Sequence, residues 1–241
     1  MGGGQYDRDY FARHSAGSRA AAEAILPLIW PIARPASIVD LGCGTGAWLE
    51  VARRMGASEV LGLDFDGSPA AGVISSASFR AVDLEGGLPE LARKFDLAIC
   101  VEVLEHVTPS AGERAVAWLC RHAPLVVFSA AVPLQGGRHH VNEQWLSTWA
   151  KPFRRHDFAF YDLIRPRIWG NEGIPFWYRQ NTIIAAAVGF PALAGIAPTP
   201  DDNLDVIHPD LWRQMAERYK DLQTRTPRNR LRQIAARLGW G

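Results

Sequence analysis

The stretch Ile38-Val39-Asp40-Leu41-Gly42-Cys43-Gly44-Thr45-Gly46, followed by Ala47-Trp48-Leu49-Glu50-Val51-Ala52-Arg53, decides the fold. A short apolar run enters a glycine cluster and leaves with apolar residues at helical period, which predicts a buried strand, a tight turn and a helix N-terminus. Glycine lets the backbone take φ > 0 and lets a ligand approach the main chain without meeting a Cβ. The spacing is G-x-G-x-G, not the G-x-G-x-x-G of dinucleotide sites. Asp40, on the strand just before the loop, would repel a pyrophosphate. It suits a ligand that carries an ammonium group and no phosphate.

S-adenosylmethionine is such a ligand. A second carboxylate, Asp64, ends the next predicted strand (Glu59 to Asp64), where a ribose diol needs paired acceptors. A third predicted strand, Phe79 to Leu84, delivers Asp83 at its end, where a carboxylate can accept from an adenine amine while the Leu84 N–H meets a ring nitrogen. Ligands of open α/β sheets collect at the strand C-termini, the edge that Asp40, Asp64 and Asp83 share.

Together with Val82-Asp83-Leu84 and Phe95-Asp96-Leu97 running into Val101-Glu102-Val103-Leu104-Glu105-His106-Val107, these segments resemble the class I S-adenosylmethionine-dependent methyltransferases over roughly residues 38 to 107. The resemblance implies an α/β, Rossmann-like fold: a seven-stranded, mostly parallel sheet with an antiparallel last strand, an N-terminal helical cap and a C-terminal helical extension. It implies S-adenosylmethionine as cofactor and S-adenosylhomocysteine as product. The cofactor residues it implies are Asp40, Gly42, Cys43, Gly44, Gly46, Asp64, Phe65, Asp83, Leu84 and Glu102. Nitrogen methyltransferases acting on bases or glutamine usually carry an Asn/Asp-Pro-Pro-Tyr/Phe motif after strand four, which this chain lacks.

With 241 residues and 48% of them hydrophobic, the chain fits one α/β domain with extensions. The expected division is a methyltransferase domain over 1–190, of which 1–35 form the helical cap, and a linker with a helical extension over 191–241. A net charge of +1 offers no basic field for nucleic acid. Cys43, Cys100 and Cys120 form no C-x-x-C pair, so a disulfide or zinc framework is not expected and a reducing cytoplasm is the simplest location. No run has the length of a membrane span, and Met1-Gly2-Gly3-Gly4 leads into polar residues.

Outside the cofactor motifs, Tyr6, Tyr10 and Phe11 fall at helical spacing, and Ser15 or Ser18 is placed to cap a second helix bent at Pro27. In the family resembled, helices before the first strand often help shape the substrate cavity, which makes Tyr6 and Tyr10 substrate candidates. After strand five comes Gly136-Gly137-Arg138-His139-His140-Val141-Asn142-Glu143-Gln144-Trp145, with a helix expected from an Asn142 N-cap to about Phe153. Arg165 to Asn181 is longer than a hairpin needs and alternates cations with aromatics, which reads as a substrate lid. These last segments also resemble a bacterial subfamily found with glycan or natural-product genes.

An alcohol acceptor must lose a proton, and histidine is the usual base near neutral pH, so His140 is the first candidate and His139 the second. Asn142, Arg165, Arg167, Trp169, Tyr178 and Arg179 complete the expected substrate set, the arginines as clamps for an acidic group. A metal held by His139, His140 and Glu143 is disfavoured, because adjacent histidines rarely face one ion. The expected reaction is methyl transfer to the hydroxyl of a small molecule such as a sugar or natural-product intermediate. An amine acceptor, or a non-catalytic cofactor-binding partner protein, is the alternative, and a homodimer is compatible. The C-terminal run Arg225 to Gly241 is basic and amphipathic.

Overall fold

A computed structural model describes residues 8–225 apart from 71–73, 76 and 77, with side chains described from Ser15 to Gln223. Tyr6 lies outside the described residues and Tyr10 outside the described side chains, as do the arginines of the C-terminal run. Two compact units divide after Val206.

In the first unit the chain runs α1 (Arg8–Ala33), β1 (Ser37–Leu41), α2 (Ala47–Arg54), β2 (Glu59–Asp64), β3 (Phe79–Ala81), β4 (Leu97–Val101), α3 (Pro109–His122), β5 (Leu125–Ser129), α4 (Leu146–Arg154), β6 (Phe158–Tyr161), α5 (Arg165–Ile168), α6 (Phe176–Asn181) and β7 (Ile183–Ala187). The seven strands form one sheet of order β3-β2-β1-β4-β5-β7-β6. Pairing is parallel from β3 through β5, while β7 runs antiparallel to both β5 and β6. This is the expected Rossmann-like sheet. Because β2 and β3 lie to one side of β1 and β4 onward to the other, the chain switches direction between β1 and β4, the kind of switch point whose crevice at the strand C-termini holds ligands in open α/β sheets.

Alternate residues of the central strands feed two cores. Ile38, Leu97, Ile99, Leu125 and Val127 pack on one face with Ile25 and Ile29 of α1, while Val39, Ala98, Cys100, Val126 and Phe128 pack on the other with Trp118 of α3 and Trp149 of α4. Strands buried on both sides read as near-continuous apolar runs, which is why β1, β4 and β5 are plain in the sequence.

Three local expectations are corrected. α1 is one continuous helix through Ser15 and Ser18, with Pro27 and Pro31 inside it. The helical register there serves tertiary contact: a Cβ on Gly17 would stand 2.8 Å from Cγ of Pro175, so the small residue lets α1 pass close to the segment before α6. The helix after the histidine loop begins at Leu146, because Asn142 is buried and its Nδ2 donates to the Leu104 carbonyl (3.1 Å) instead of capping. The 165–181 insertion is not a free lid: Ile168, Ile174, Phe176 and Tyr178 are buried in it.

Arg165 is also buried, at 2% exposure. Its guanidinium donates to the carbonyls of Leu204 (2.7 Å) and Asn203 (3.2 Å) and pairs with Asp162 at 2.9 Å. Arg167 is exposed and donates to the Leu163 carbonyl, and the half-buried Trp169 caps α5. Arg179 is buried and donates to the Trp169 carbonyl (3.1 Å), so Arg165 and Arg179 staple the segment where a substrate clamp was expected. The second unit contains α7 (Pro209–Arg225), which exposes Trp212, Tyr219 and Leu222.

Arg165→Leu strands Asp162 and two carbonyls, and removing one partner of a buried ion pair costs about 3–5 kcal/mol. Chemical denaturation should show a loss of that order, and a change below about 1 kcal/mol would end the staple reading.

Candidate active site

The crevice begins at the loop after β1. Gly42, Gly44 and Gly46 have φ of 77°, 54° and 76°. A Cβ on Gly44 would meet nothing within 4 Å, so the loop presents bare backbone to open space there. Cys43 contributes only backbone to that surface: its side chain is buried, with Sγ 2.7 Å from where a Gly62 Cβ would be. Burial, with Asp40 and Asp64 adding, pushes its thiol up.

Asp40 pairs in register with Gly62 and Ile99 and is 2% exposed, and its Oδ2 has no hydrogen-bond partner. Burial first, then the Asp64 charge, raises its pKa well above the carboxylate range. Asp64 accepts from the Gly44 amide (2.6 Å) and the Phe65 amide (2.7 Å), one on each oxygen. Burial raises its pKa against those bonds. A carboxylate offers about four lone-pair sites, so a diol can still share it. Asp83 lies two residues past the end of β3, is exposed, and turns back to accept from the Glu85 amide (3.0 Å), which lowers its pKa. The half-buried Leu84 beside it packs against the core.

A buried carboxyl with an unpartnered oxygen, a second carboxylate beside it and an open glycine cradle fit a cationic, diol-bearing cofactor. Residues 11–168 match the methyltransferase domain family. The chain belongs to that family. Ubiquinone biosynthesis O-methyltransferases of Rhizobium johnstonii and Pseudomonas fluorescens are 40% identical over 78 residues and 33% over 102. Those matches cover 29% and 38% of this chain and 30% and 43% of the relatives, so it spans under half the length of the curated relatives it matches. Among solved structures, the fold is shared with CalS10, an amino pentose methyltransferase from Micromonospora echinaspora determined with S-adenosylmethionine bound (16% identity, TM-score 0.53, covering 77% of this chain and 99% of that one). It is also shared with magnesium protoporphyrin IX methyltransferase from Synechocystis (17%, TM-score 0.50, 76% and 86%). S-adenosylmethionine is the cofactor of this methyltransferase.

Beyond β4 the chain turns sharply at Glu102, whose φ is 56°. Its Oε1 accepts from Nδ2 of Asn181 (3.0 Å), its Oε2 from Nε2 of Gln135 (3.3 Å), and its amide donates to Ser129. Burial raises the Glu102 pKa, with the bonds from Asn181, Ser129 and Gln135 opposing. Leu104–His106 form one 3-10 turn, in which Glu105 is fully buried and both its carboxyl oxygens lack a hydrogen bond of standard geometry. Burial and then the Glu102 charge hold the Glu105 pKa well above normal.

The histidine loop is pinned to this turn, since the amides of Val141 (2.9 Å) and Asn142 (3.0 Å) both donate to the Glu105 carbonyl. Glu143 closes the loop on itself: Oε2 accepts from the Leu134 amide (2.8 Å), and Oε1 from the Gly136 amide (2.7 Å) and from Nδ1 of His140 (2.9 Å). His140 is thereby held edge-on to His106, with ring centroids 4.8 Å apart and planes at 84°. His139 is exposed with φ of 61° and does not share this position. Burial first, then His140, lowers the His106 pKa to about 4, while bonds to the His139 and Arg138 backbone oppose.

Sequence reasoning did not assign Glu105, Gln135 or Asn181 to this site, and it weighed Glu143 only in a disfavoured metal set with His139 and His140. Gln135 comes from the loop after β5 and Asn181 is the last residue of α6. Glu143 shows itself only as an acid three residues after a histidine, a spacing that carries no signal outside a helix.

Asp64→Ala should weaken S-adenosylmethionine binding by about 1–3 kcal/mol, the cost of leaving polar groups without a charged acceptor. Calorimetry showing unchanged affinity in a folded variant would remove Asp64 from the site. Gly44→Val should abolish binding yet leave the sheet formed, because a β-branched residue is strained at φ 54° and fills the open cradle. Circular dichroism alongside calorimetry checks both halves, and normal binding would mean that the ligand does not cross Gly44.

Proposed function

We propose that the chain transfers the methyl group of S-adenosylmethionine to a hydroxyl oxygen of a small molecule, with His140 as the side chain through which the hydroxyl loses its proton. The observation that carries this reading is the His140–Glu143 pair on the loop beside the C-terminal ends of β4 and β5. Bound there, the cofactor supplies an electrophilic methyl on a sulfonium. The protein's task is alignment, exclusion of water and handling of one proton.

Glu143 accepts from Nδ1 of His140, which leaves Nε2 as the basic nitrogen of the neutral ring. A hydroxyl presented to Nε2 gives up its proton as its oxygen bonds to the methyl carbon and the carbon–sulfur bond breaks. Glu143 positions the ring and steadies the imidazolium, while its bonds from Leu134 and Gly136 hold it still. His106, kept neutral by burial, does not compete for the proton near pH 7. The names of the ubiquinone biosynthesis O-methyltransferase relatives favour oxygen as the acceptor atom.

Among the described residues no helix is long and apolar enough to cross a membrane, and the three thiols are free, which suits a reducing cytoplasm. We place residues 1–190 in the catalytic domain and 191–241 in a linker and extension, and a homodimer is compatible with this reading.

Incubation with labelled S-adenosylmethionine and a panel of phenols, sugars and amines, read by mass spectrometry, tests the reaction. O-methylated product is expected, and methylation confined to nitrogen would overturn the hydroxyl assignment. His140→Ala should lower kcat about 10²- to 10⁴-fold with cofactor affinity unchanged, the usual share of general-base catalysis. A variant retaining most of its turnover would remove His140 from the chemistry.

A further inference from the structure

Charge is not spread evenly along the chain. Residues 207–241 hold eight lysines and arginines against three acids, a net +5, and since the whole chain carries +1, residues 1–206 carry −4. The excess is steepest from Arg225 onward, where Arg225, Arg228, Arg230, Arg232 and Arg237 meet no acid and Leu231, Ile234 and Leu238 recur at helical spacing. This stretch lies beyond residues 11–168 matched to the methyltransferase family, so the matched domain does not account for it.

The described part of this unit is α7, and its apolar residues are divided between inside and outside. Leu211 is 0% exposed, whereas Trp212, Tyr219 and Leu222 are 65%, 62% and 65% exposed. At about 100° of rotation per residue these three fall within about 80° of one another around the helix, with the half-buried Met215 between them. A lone apolar side chain at a surface is ordinary, but a stripe with an indole, a phenol and an aliphatic chain along one face marks a contact surface.

The stripe and the arginines together select the partner. A second copy of the chain would bring two units of +5 against each other, which like charges oppose. A nucleic-acid strand answers the arginines and can stack on Trp212 and Tyr219, but it gives nothing to Met215, Leu222, Leu231, Ile234 and Leu238. An anionic lipid surface answers both features: its phosphates attract lysine and arginine, its acyl boundary takes the aliphatic side chains, and tryptophan and tyrosine rings settle at the level of the headgroups. A 17-residue helix with one apolar face is the form of an element that lies in that interface plane.

We propose that residues 207–241 form a peripheral membrane-binding element, in which the Trp212–Tyr219–Leu222 stripe of α7 enters the headgroup layer of an anionic bilayer and the arginines from Arg225 onward meet its phosphates. Residues 1–206, at −4, gain nothing from such a surface, so attachment depends on the C-terminal unit. The two signals act together, the charge drawing the unit to the surface and the stripe holding it there.

The experiment is flotation of the full chain with phosphatidylcholine vesicles, with and without about one-third phosphatidylglycerol. The chain should float with the anionic vesicles, stay behind with the neutral ones, and be largely released at about 0.5 M salt. Trp212→Ser with Leu222→Ser, and separately Arg228→Glu with Arg232→Glu, should each lower the partition coefficient about tenfold or more. Cofactor affinity, read by calorimetry, is the folding control, since neither pair belongs to the cofactor site. Binding that is absent from both vesicles, or equal to both, overturns the proposal, as does binding that the serine pair leaves unchanged. Tight binding of a single-stranded oligonucleotide in place of vesicles, or a concentration-dependent dimer lost in the serine pair, assigns the face to another partner and overturns it too. Flotation uses neither acceptor nor turnover, so its outcome is independent of the methyl-transfer reading.

Discussion

The uncompensated oxygen of Asp40 is the constraint around which the structure is arranged. A carboxyl at the C-terminal end of the most central parallel strand is walled by apolar residues on both faces of the sheet, and nothing among the described residues answers Oδ2. Asp64 adds a second acid from the neighbouring strand and raises the Asp40 pKa further. Stability alone would favour replacing such a pair with apolar side chains, since burying charge without a partner is costly. Its retention makes physical sense when a cation arrives from outside, as the sulfonium and ammonium of S-adenosylmethionine do.

The same logic repeats one strand away. Glu102 and Glu105 are a second pair of acids beside the crevice, and the protein treats them differently. Glu102 is given two amide donors from Asn181 and Gln135, reached by a backbone with φ of 56°, while Glu105 is given none of standard geometry. Strained backbone at a fully furnished carboxylate marks a group that is positioned, whereas burial and the neighbouring Glu102 charge favour the uncharged form of Glu105. The histidine loop is tied to the same turn through the Glu105 backbone carbonyl, which accepts from the Val141 and Asn142 amides.

How much of this was legible in the sequence follows from the range of the interactions. The glycine loop, Asp40 and Asp64 lie within one βαβ unit, where spacing along the chain maps directly onto spacing in the fold, and they were readable. Asp83 was placed on the right edge but at the end of too long a strand, because Val82 and Leu84 continue the apolar alternation past Ala81, where the ladder stops. Arg165 and Arg179 of the 165–181 insertion lie buried where a substrate clamp was expected, for a physical reason. Cations alternating with aromatics signal a ligand surface only when the guanidinium is free, and Arg165 spends its donors on the carbonyls of Asn203 and Leu204, almost forty residues away. Nothing local announces such long-range partners.

Withdrawing those arginines changes what the crevice can select. A bidentate fork recognises a carboxylate or phosphate through two parallel arms, and Arg165 and Arg179 each have at least one arm on a backbone carbonyl. With Arg165 and Arg179 committed to carbonyls, the polar groups described around His140 are His106, Glu102, Glu105, Glu143 and the amides of Gln135 and Asn181. That lining is acidic, so a second acid brought in by an acceptor would meet repulsion in a low-dielectric setting, where like charges cost most. A neutral group would meet no such penalty, which supports the proposed hydroxyl acceptor.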